Sequence, residues 1–230
     1  MGKRPDLYGI MTFEQTATLT DRAEASLEAA IVRGQLQPGT KLRIAEMAEE
    51  FEVSATPMRE ALSRLVSRGL VVAVGQRGFR VMPVSREDLA DITRTRVALE
   101  TAALRRSMRH GDGKWEGAIV SALHQIKRIA GRSKVLKNSP ELNSIHKDFH
   151  SSLIAACGSP RIVEFASQLY DQAFRYRSVM LATVISADDF IAEHEKLADV
   201  VLSRTGNTAV ANLATHLERT YEDIYGTMPD

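Results

Sequence analysis

The chain has 230 residues, with 30 Lys+Arg against 29 Asp+Glu, 44% hydrophobic and 26% charged residues, one Cys and one Trp. That is the composition of a globular protein with a proper core, in one large domain or two small ones. The single cysteine, Cys157, excludes an internal disulfide framework and a cysteine-rich zinc module. No apolar run approaches the ~18 residues that cross a bilayer, and residues 1–15 carry no apolar signal segment. A cytoplasmic location with no membrane partner is expected. The net charge of +1 argues against a wholesale polyanion binder unless charge is unevenly distributed.

Residues 1–15 are aperiodic and read as a loose leader. Leu27, Ala30 and Ile31 recur at helical spacing and predict a helix over Thr20–Arg33, ended at Gly34. Pro38-Gly39 marks a turn. A short helix over Arg43–Phe51 follows, with Ile44, Met47, Ala48 and Phe51 on one face. Ser54 is an N-cap candidate for the next helix, with Pro57 in its first turn and Met58, Ala61, Leu62 and Leu65 on its apolar face. Two β-like runs, Val71–Val74 and Phe79–Met82, flank Gly75-Gln76-Arg77-Gly78 and predict a hairpin with a glycine-rich tip.

From Ser85 onward strand signals vanish. Six helical segments are expected, at 85–110, 115–131, 139–157, 160–183, 187–204 and 207–226, separated by Gly111-Asp112-Gly113, Gly158-Ser159-Pro160 and Gly206-Asn207. The composition shift near Pro83 divides the chain into 1–83 and 84–230. The expected fold is mainly α: a winged helix-turn-helix with a small β-hairpin wing, then an all-α antiparallel helical bundle.

Charge is indeed uneven. Residues 53–82 hold Arg59, Arg64, Arg68, Arg77 and Arg80 against Glu60, a net of +4, whereas residues 41–52 carry −2. Duplex DNA favours cations that displace its counterions and a helix that fits the major groove. Charge alone equally suits a solvated basic helix face beside a surface hairpin. Residue order decides. The runs I-V-R-G-Q-L-Q-P-G-T-K-L (31–42), A-E-M-A-E-E-F-E-V-S-A-T-P-M-R-E-A-L-S-R-L-V-S-R-G-L (45–70) and G-Q-R-G-F-R-V (75–81) resemble the GntR family of bacterial transcription regulators. The resemblance implies a homodimer on double-stranded operator DNA. It implies that Ser54, Thr56 and Arg59 contact phosphates and base edges, that Gly78 lets the wing tip approach the minor groove, and that Arg77 adds charge there. The family commonly has arginine where this chain has Ala55, which implies an operator without the corresponding guanine contact or weaker discrimination there.

The bundle holds six histidines: 110, 124, 146, 150, 194 and 216. His146 and His150 are i, i+4 and share a helix face with Leu142, Ile145, Phe149 and Leu153. His194 lies on the Phe190–Leu197–Val201 stripe, and His216 beside Leu213 and Leu217. Four inward histidines suit a divalent transition metal such as Zn²⁺ or Ni²⁺. The stretches I-H-K-D-F-H-S-S-L-I-A-A-C-G-S-P (145–160), E-H-E-K-L (193–197) and T-H-L (215–217) resemble the FadR-like ligand-binding domain of the same family. Metal-holding members use an aspartate and three histidines. Carried over, the ligands are His150, His194 and His216, with His146 in the aspartate's place. Either His146 ligates, or it turns away and leaves three histidines with solvent. Asp148 points elsewhere on the helix and cannot easily replace the carboxylate.

Arg96 continues the inward stripe of Leu89, Ile92, Leu99 and Ala103. Two roles fit: a salt bridge, to Glu100 or to a carboxylate of another helix, or a clamp for the carboxylate of a small organic acid effector. The second matches the arginine of the family's R-x-x-L-E segment, here R-V-A-L-E at 96–100. Arg175, Tyr176 and Arg177 are further cavity candidates. Rival readings are a histidine-site metalloenzyme and a regulator with a purely structural metal. The enzyme lacks H-E-x-x-H, G-x-S-x-G and phosphate-loop motifs and leaves the winged module without a purpose.

Overall fold

A computed structural model describes residues 17–75, 78–136, 139–180 and 185–229; the leader expected over residues 1–15 and Arg77 of the wing tip lie outside them. Helix α1 (Leu19–Val32) starts at Thr18, whose hydroxyl accepts from the Asp21 amide while the Asp21 carboxylate accepts from the Thr18 amide. This reciprocal cap satisfies donors that a helix start leaves open. Helix α2 (Ile44–Glu50) leads into α3 (Ala55–Ser67), which buries Met58, Ala61, Leu62 and Leu65 as their spacing predicts. Ser54 does hold the N-cap position of α3, but its side chain makes no cap bond.

The wing is a sheet of three strands rather than a bare hairpin. Strands β1 (Lys41–Leu42), β2 (Val71–Ala73) and β3 (Phe79–Val81) pair antiparallel in the order β1-β3-β2, with Leu42 opposite Phe79 and Val72 opposite Arg80. Two residues carry no readable alternation, so β1 leaves no mark in the sequence.

The second module comprises α4 (Arg86–His110), α5 (Gly113–Ala130), α6 (Pro140–Ile154) with a 3₁₀ turn at Ala155–Cys157, α7 (Pro160–Met180), α8 (Ala187–Leu202) and α9 (Asn207–Tyr225). Side chains of Ser85, Asp112, Ser139 and Ser186 cap α4, α5, α6 and α8. The bundle is not wholly α. Strand β4 (Val135–Leu136) pairs antiparallel with β5 (Ile185–Ser186), tying the connection before α6 to the one before α8. The core includes Leu104, Trp115, Ile119, Phe149, Leu153, Leu197, Leu213 and Leu217.

Helix α7 joins the two modules. Its Tyr170 and Phe174 complete the apolar cluster of Leu27, Ile31, Met58, Leu62 and Leu65. Gln172 donates to the Arg68 carbonyl at 2.8 Å, and Arg175 donates to the carbonyls of Met82 and Pro83. The Tyr176 hydroxyl accepts from the Ser85 amide at 3.0 Å and donates to Asp88. Of the three side chains expected near the cavity, Arg175 and Tyr176 therefore hold the junction instead, and Arg177 alone reaches the cavity wall. Consecutive helical residues point about 100° apart, so they cannot all face one site.

Candidate histidine site and DNA-facing surface

His146 and His150 on α6, His194 on α8 and His216 on α9 converge in the bundle. One ring nitrogen from each lies within 4.8 Å of the others. His146 points inward with the rest, so the arrangement in which it turns away is not the one found. Asp148 is exposed and outside the cluster. His150 Nε2 stands 3.0 Å from His146 Nε2 and 3.1 Å from His216 Nε2. Nitrogens that share an ion at bonds of ~2.1 Å stand about 3.0–3.4 Å apart.

Outer partners fix which nitrogen is bare in three of the four rings. Phe190 O can only accept, so His194 Nδ1 donates to it at 2.6 Å and leaves Nε2 unprotonated. The Glu193 carboxylate accepts from His216 Nδ1 at 2.8 Å. The Tyr170 hydroxyl donates to Asn143 Oδ1 and accepts from His146 Nδ1 at 2.9 Å. Two of these lone pairs, on His146 and His216, face His150 Nε2, which can offer one proton to only one of them. His194 Nε2 is buried with no partner. Buried acceptors left unmatched are unfavourable by about 1–3 kcal/mol each, and a cation at their centre removes the penalty from all of them at once. The donor set and its outer hydrogen bonds fit a divalent transition metal, with each anchored ring held in one tautomer.

The electrostatics agree. Burial, then the neighbouring rings, push His146 and His150 well below the usual histidine range. Burial brings His194 to about 3. These rings are neutral at pH 7, the form that ligates. Burial alone would raise Glu193, but bonds from His216 and Arg219 outweigh it and hold the carboxyl at about 2.

A cavity beside the cluster is lined by Arg96, His146, His150, Tyr170, Arg177 and His216, among others. Arg96 is buried and its Nε donates to Glu100 at 2.8 Å, so the expected salt bridge exists. Its guanidinium also lies over the Tyr170 ring at 5.5 Å. Neither terminal nitrogen makes a hydrogen bond to another described residue, and Arg96 lines the cavity. Sequence reasoning missed Tyr170 and Glu193 as ring anchors. The signal for α7 was an arginine, Arg177, seven residues after a tyrosine on a stripe with Ala173 and Phe174. Glu193 is polar on a partly exposed face, and nothing local marks it.

On the opposite module, Ser54, Ala55, Thr56 and Arg59 are exposed on the first turns of α3. Gly78 has φ +91° and open space where a Cβ would stand. The +4 patch is smaller than its arithmetic. Arg64 pairs with Asp21 at 2.8 Å and Glu24 at 3.1 Å, and Arg68 pairs with Glu28, Glu24 and Asp171. Acidic residues of α1 therefore take two of its five arginines, while Arg59 has no ion-pair partner among the described residues.

A helix-turn-helix with an exposed recognition helix, bonded through one helix to a bundle with its own polar cavity, has the layout of a transcription regulator with a separate ligand-binding domain. The comparisons agree. Residues 19–81 match the model for bacterial regulatory proteins of the gntR family, and residues 91–219 match the FCD domain model. The chain is 38% identical over 196 residues to the HTH-type transcriptional regulator BphR of Paraburkholderia xenovorans, covering 84% of this chain and 79% of that protein. It is 32% identical over 195 residues to the HTH-type transcriptional repressor GlaR of Escherichia coli, covering 83% and 89%. The fold resembles that of E. coli McbR/YncC with a TM-score of 0.74 at 21% identity, covering 90% of this chain and 97% of that one. The chain belongs to the GntR family of bacterial transcription regulators and carries an FCD domain. Its relatives are regulators, not enzymes. Among the described residues no helix is long and apolar enough to cross a membrane.

Proposed function

We propose that the chain binds double-stranded operator DNA as a homodimer in the cytoplasm, and that a small organic acid held at a divalent metal site in the bundle sets its operator affinity. The working division is 1–83 for DNA and 84–230 for sensing and dimerisation. Ser54, Thr56 and Arg59 would contact the major groove and backbone, with Arg77 and Gly78 at the wing tip. His146, His150, His194 and His216 would hold Zn²⁺ or Ni²⁺. The observation that carries the reading is the convergence of bare, buried imidazole nitrogens beside Arg96.

A bound ion supplies a Lewis-acid anchor for one carboxylate oxygen. The chain does the rest. Phe190 O, Glu193 and Tyr170 hold three of the rings, and Glu100 holds Arg96 so that its terminal nitrogens orient the acid. Helix α7 links this site to the winged module, since Tyr170 and Arg177 line the cavity while Asp171, Gln172 and Arg175 bond the junction. An acid that binds one setting of α7 more tightly shifts the spacing of the two winged modules. GlaR is a repressor, and we extend that direction to this chain.

Elemental analysis of the purified protein and of a His150→Ala/His194→Ala variant tests the site; stoichiometric metal retained in the variant refutes it. Operator affinity, measured on duplexes selected by the protein itself, tests the coupling. Acids that bind while operator affinity stays constant refute the sensor and leave the metal a structural role.

A further inference from the structure

His216 is the one ring of the four that is not buried, and it stands between two spaces. Its Nε2 faces the buried rings, 3.1 Å from His150 Nε2, while its Nδ1 donates to Glu193 at 2.8 Å. The same ring lines the inner cavity and also an open surface groove between α8 and α9. Glu193, Lys196, Thr215 and Arg219 line that groove too. Glu193 Oε2 pairs at 2.8 Å with Arg219, whose side chain is 59% exposed. An exposed ion pair of this kind contributes little and opens readily.

A divalent cation has to pass from water to nitrogens that are neutral and buried, and the charges along the way select its route. Among the described residues the inner cavity is lined by Arg96 and Arg177 and by no carboxylate. The groove has cations as well, Lys196 and Arg219, but both are exposed to solvent, where screening weakens them. It also has Glu193, the one carboxylate among the described residues that bonds a ring of the cluster. Carboxylate oxygen and imidazole nitrogen are both ligands for such ions. We propose that the α8/α9 groove is the entrance and exit of the metal, with Glu193 and His216 as the first ligands met and Arg219 as a latch over Glu193. When Arg219 swings away, Glu193 Oε2 is free to take the ion, and His216 passes it to the buried rings that its Nε2 already faces. This inference rests on the four histidines being a metal site and names the path to it.

The test is rapid-mixing kinetics on the full-length protein, stripped of metal and offered Zn²⁺ alone, with loss then followed by transfer to excess chelator. Arg219→Met should speed uptake and loss together, by up to roughly fivefold, the factor that an exposed ion pair sets. Thr215→Trp fills the groove beside His216 and should slow both. In either variant the ratio of the two rates, and so the affinity, should change less than the rates themselves. Lys114→Met, an exposed position on α5 outside the groove, should change neither rate. Circular dichroism checks folding; if the tryptophan variant does not fold, Arg219→Met is compared with Arg219→Lys, which keeps the latch and should stay near the wild type. Rates unchanged in Arg219→Met overturn the proposal. So does an altered affinity with unchanged uptake, which would leave Arg219 only an orienting group for Glu193. If the wild type takes up no Zn²⁺, the metal-site reading itself falls, a result seen before any variant is compared.

Discussion

The hydroxyl of Tyr170 accepts a hydrogen bond from His146 Nδ1 at 2.9 Å, while the ring of the same tyrosine packs into the apolar core of the DNA-binding module. One side chain thus belongs to both the histidine site and the domain junction. Burial raises its pKa above the usual tyrosine value, so it stays a neutral phenol that can accept from His146 and donate to Asn143. Tyr170→Phe keeps the ring and removes the anchor of His146. Metal affinity should fall roughly 10–100-fold while the fold is kept. Competition with a chelator of known affinity measures this, and an unchanged affinity would remove His146 from the ligand set.

Arg59 and Arg64 lie five residues apart on α3 but differ in what they meet. Arg64 is held by Asp21 and Glu24, whereas Arg59 is exposed without a carboxylate. Arg59→Ala should weaken operator binding roughly ten- to hundredfold, with a shallower salt dependence if the lost contact is a phosphate. Arg64→Ala should leave operator affinity within about threefold, because an exposed pair contributes little. Fluorescence anisotropy at two salt concentrations separates the two, and equal losses would mean the α1 carboxylates release Arg64 on DNA.

The junction carries its own pH dependence. Burial pushes the Asp171 carboxyl up to about 6, against the pull of Lys147 at 2.6 Å and Arg68 at 3.3 Å. The ordinary value is ~3.9, so between about pH 4 and 6 the folded chain binds more protons here than the unfolded one. Stability from this group is therefore greatest below about pH 4, declines as pH rises to about 6, and is level above, a change on the order of 3 kcal/mol. Melting of the wild type and Asp171→Asn at pH 4, 5, 6 and 7 checks it. The difference between the two curves should change with pH up to about 6 and then flatten; a difference constant throughout would contradict the assignment.

Gly69 ends α3 with φ +69°, and a Cβ there would stand 2.7 Å from Gln172 Nε2. Gln172 is flexible and can withdraw, but it then gives up its bond to the Arg68 carbonyl. The left-handed backbone is the larger penalty for a non-glycine residue. Gly69→Ala should destabilise the chain by about 1–2 kcal/mol, a drop of roughly 2–8 °C in Tm. A full-length protein that melts as the wild type does would show that the junction yields without strain.

Much of this was local and therefore legible. The helix stripes of α3 and α4, the capping serines and the i, i+4 pair His146–His150 depend on spacing alone, and they place two modules, a recognition helix and four inward histidines. The two-residue strands were invisible because pairing, not pattern, defines them. Which arginine of α3 is left without a carboxylate was decided only when α1 packed its acids against Arg64 and Arg68. Likewise, only packing set Glu193 against His216, turned Arg175 toward the linker and Arg177 toward the cavity, and put Tyr170 in contact with both modules. Residue type and spacing determine what a side chain can do and which face of its own helix it shares. Partners dozens of residues away along the chain decide whether its charge is spent within the fold or left for a ligand.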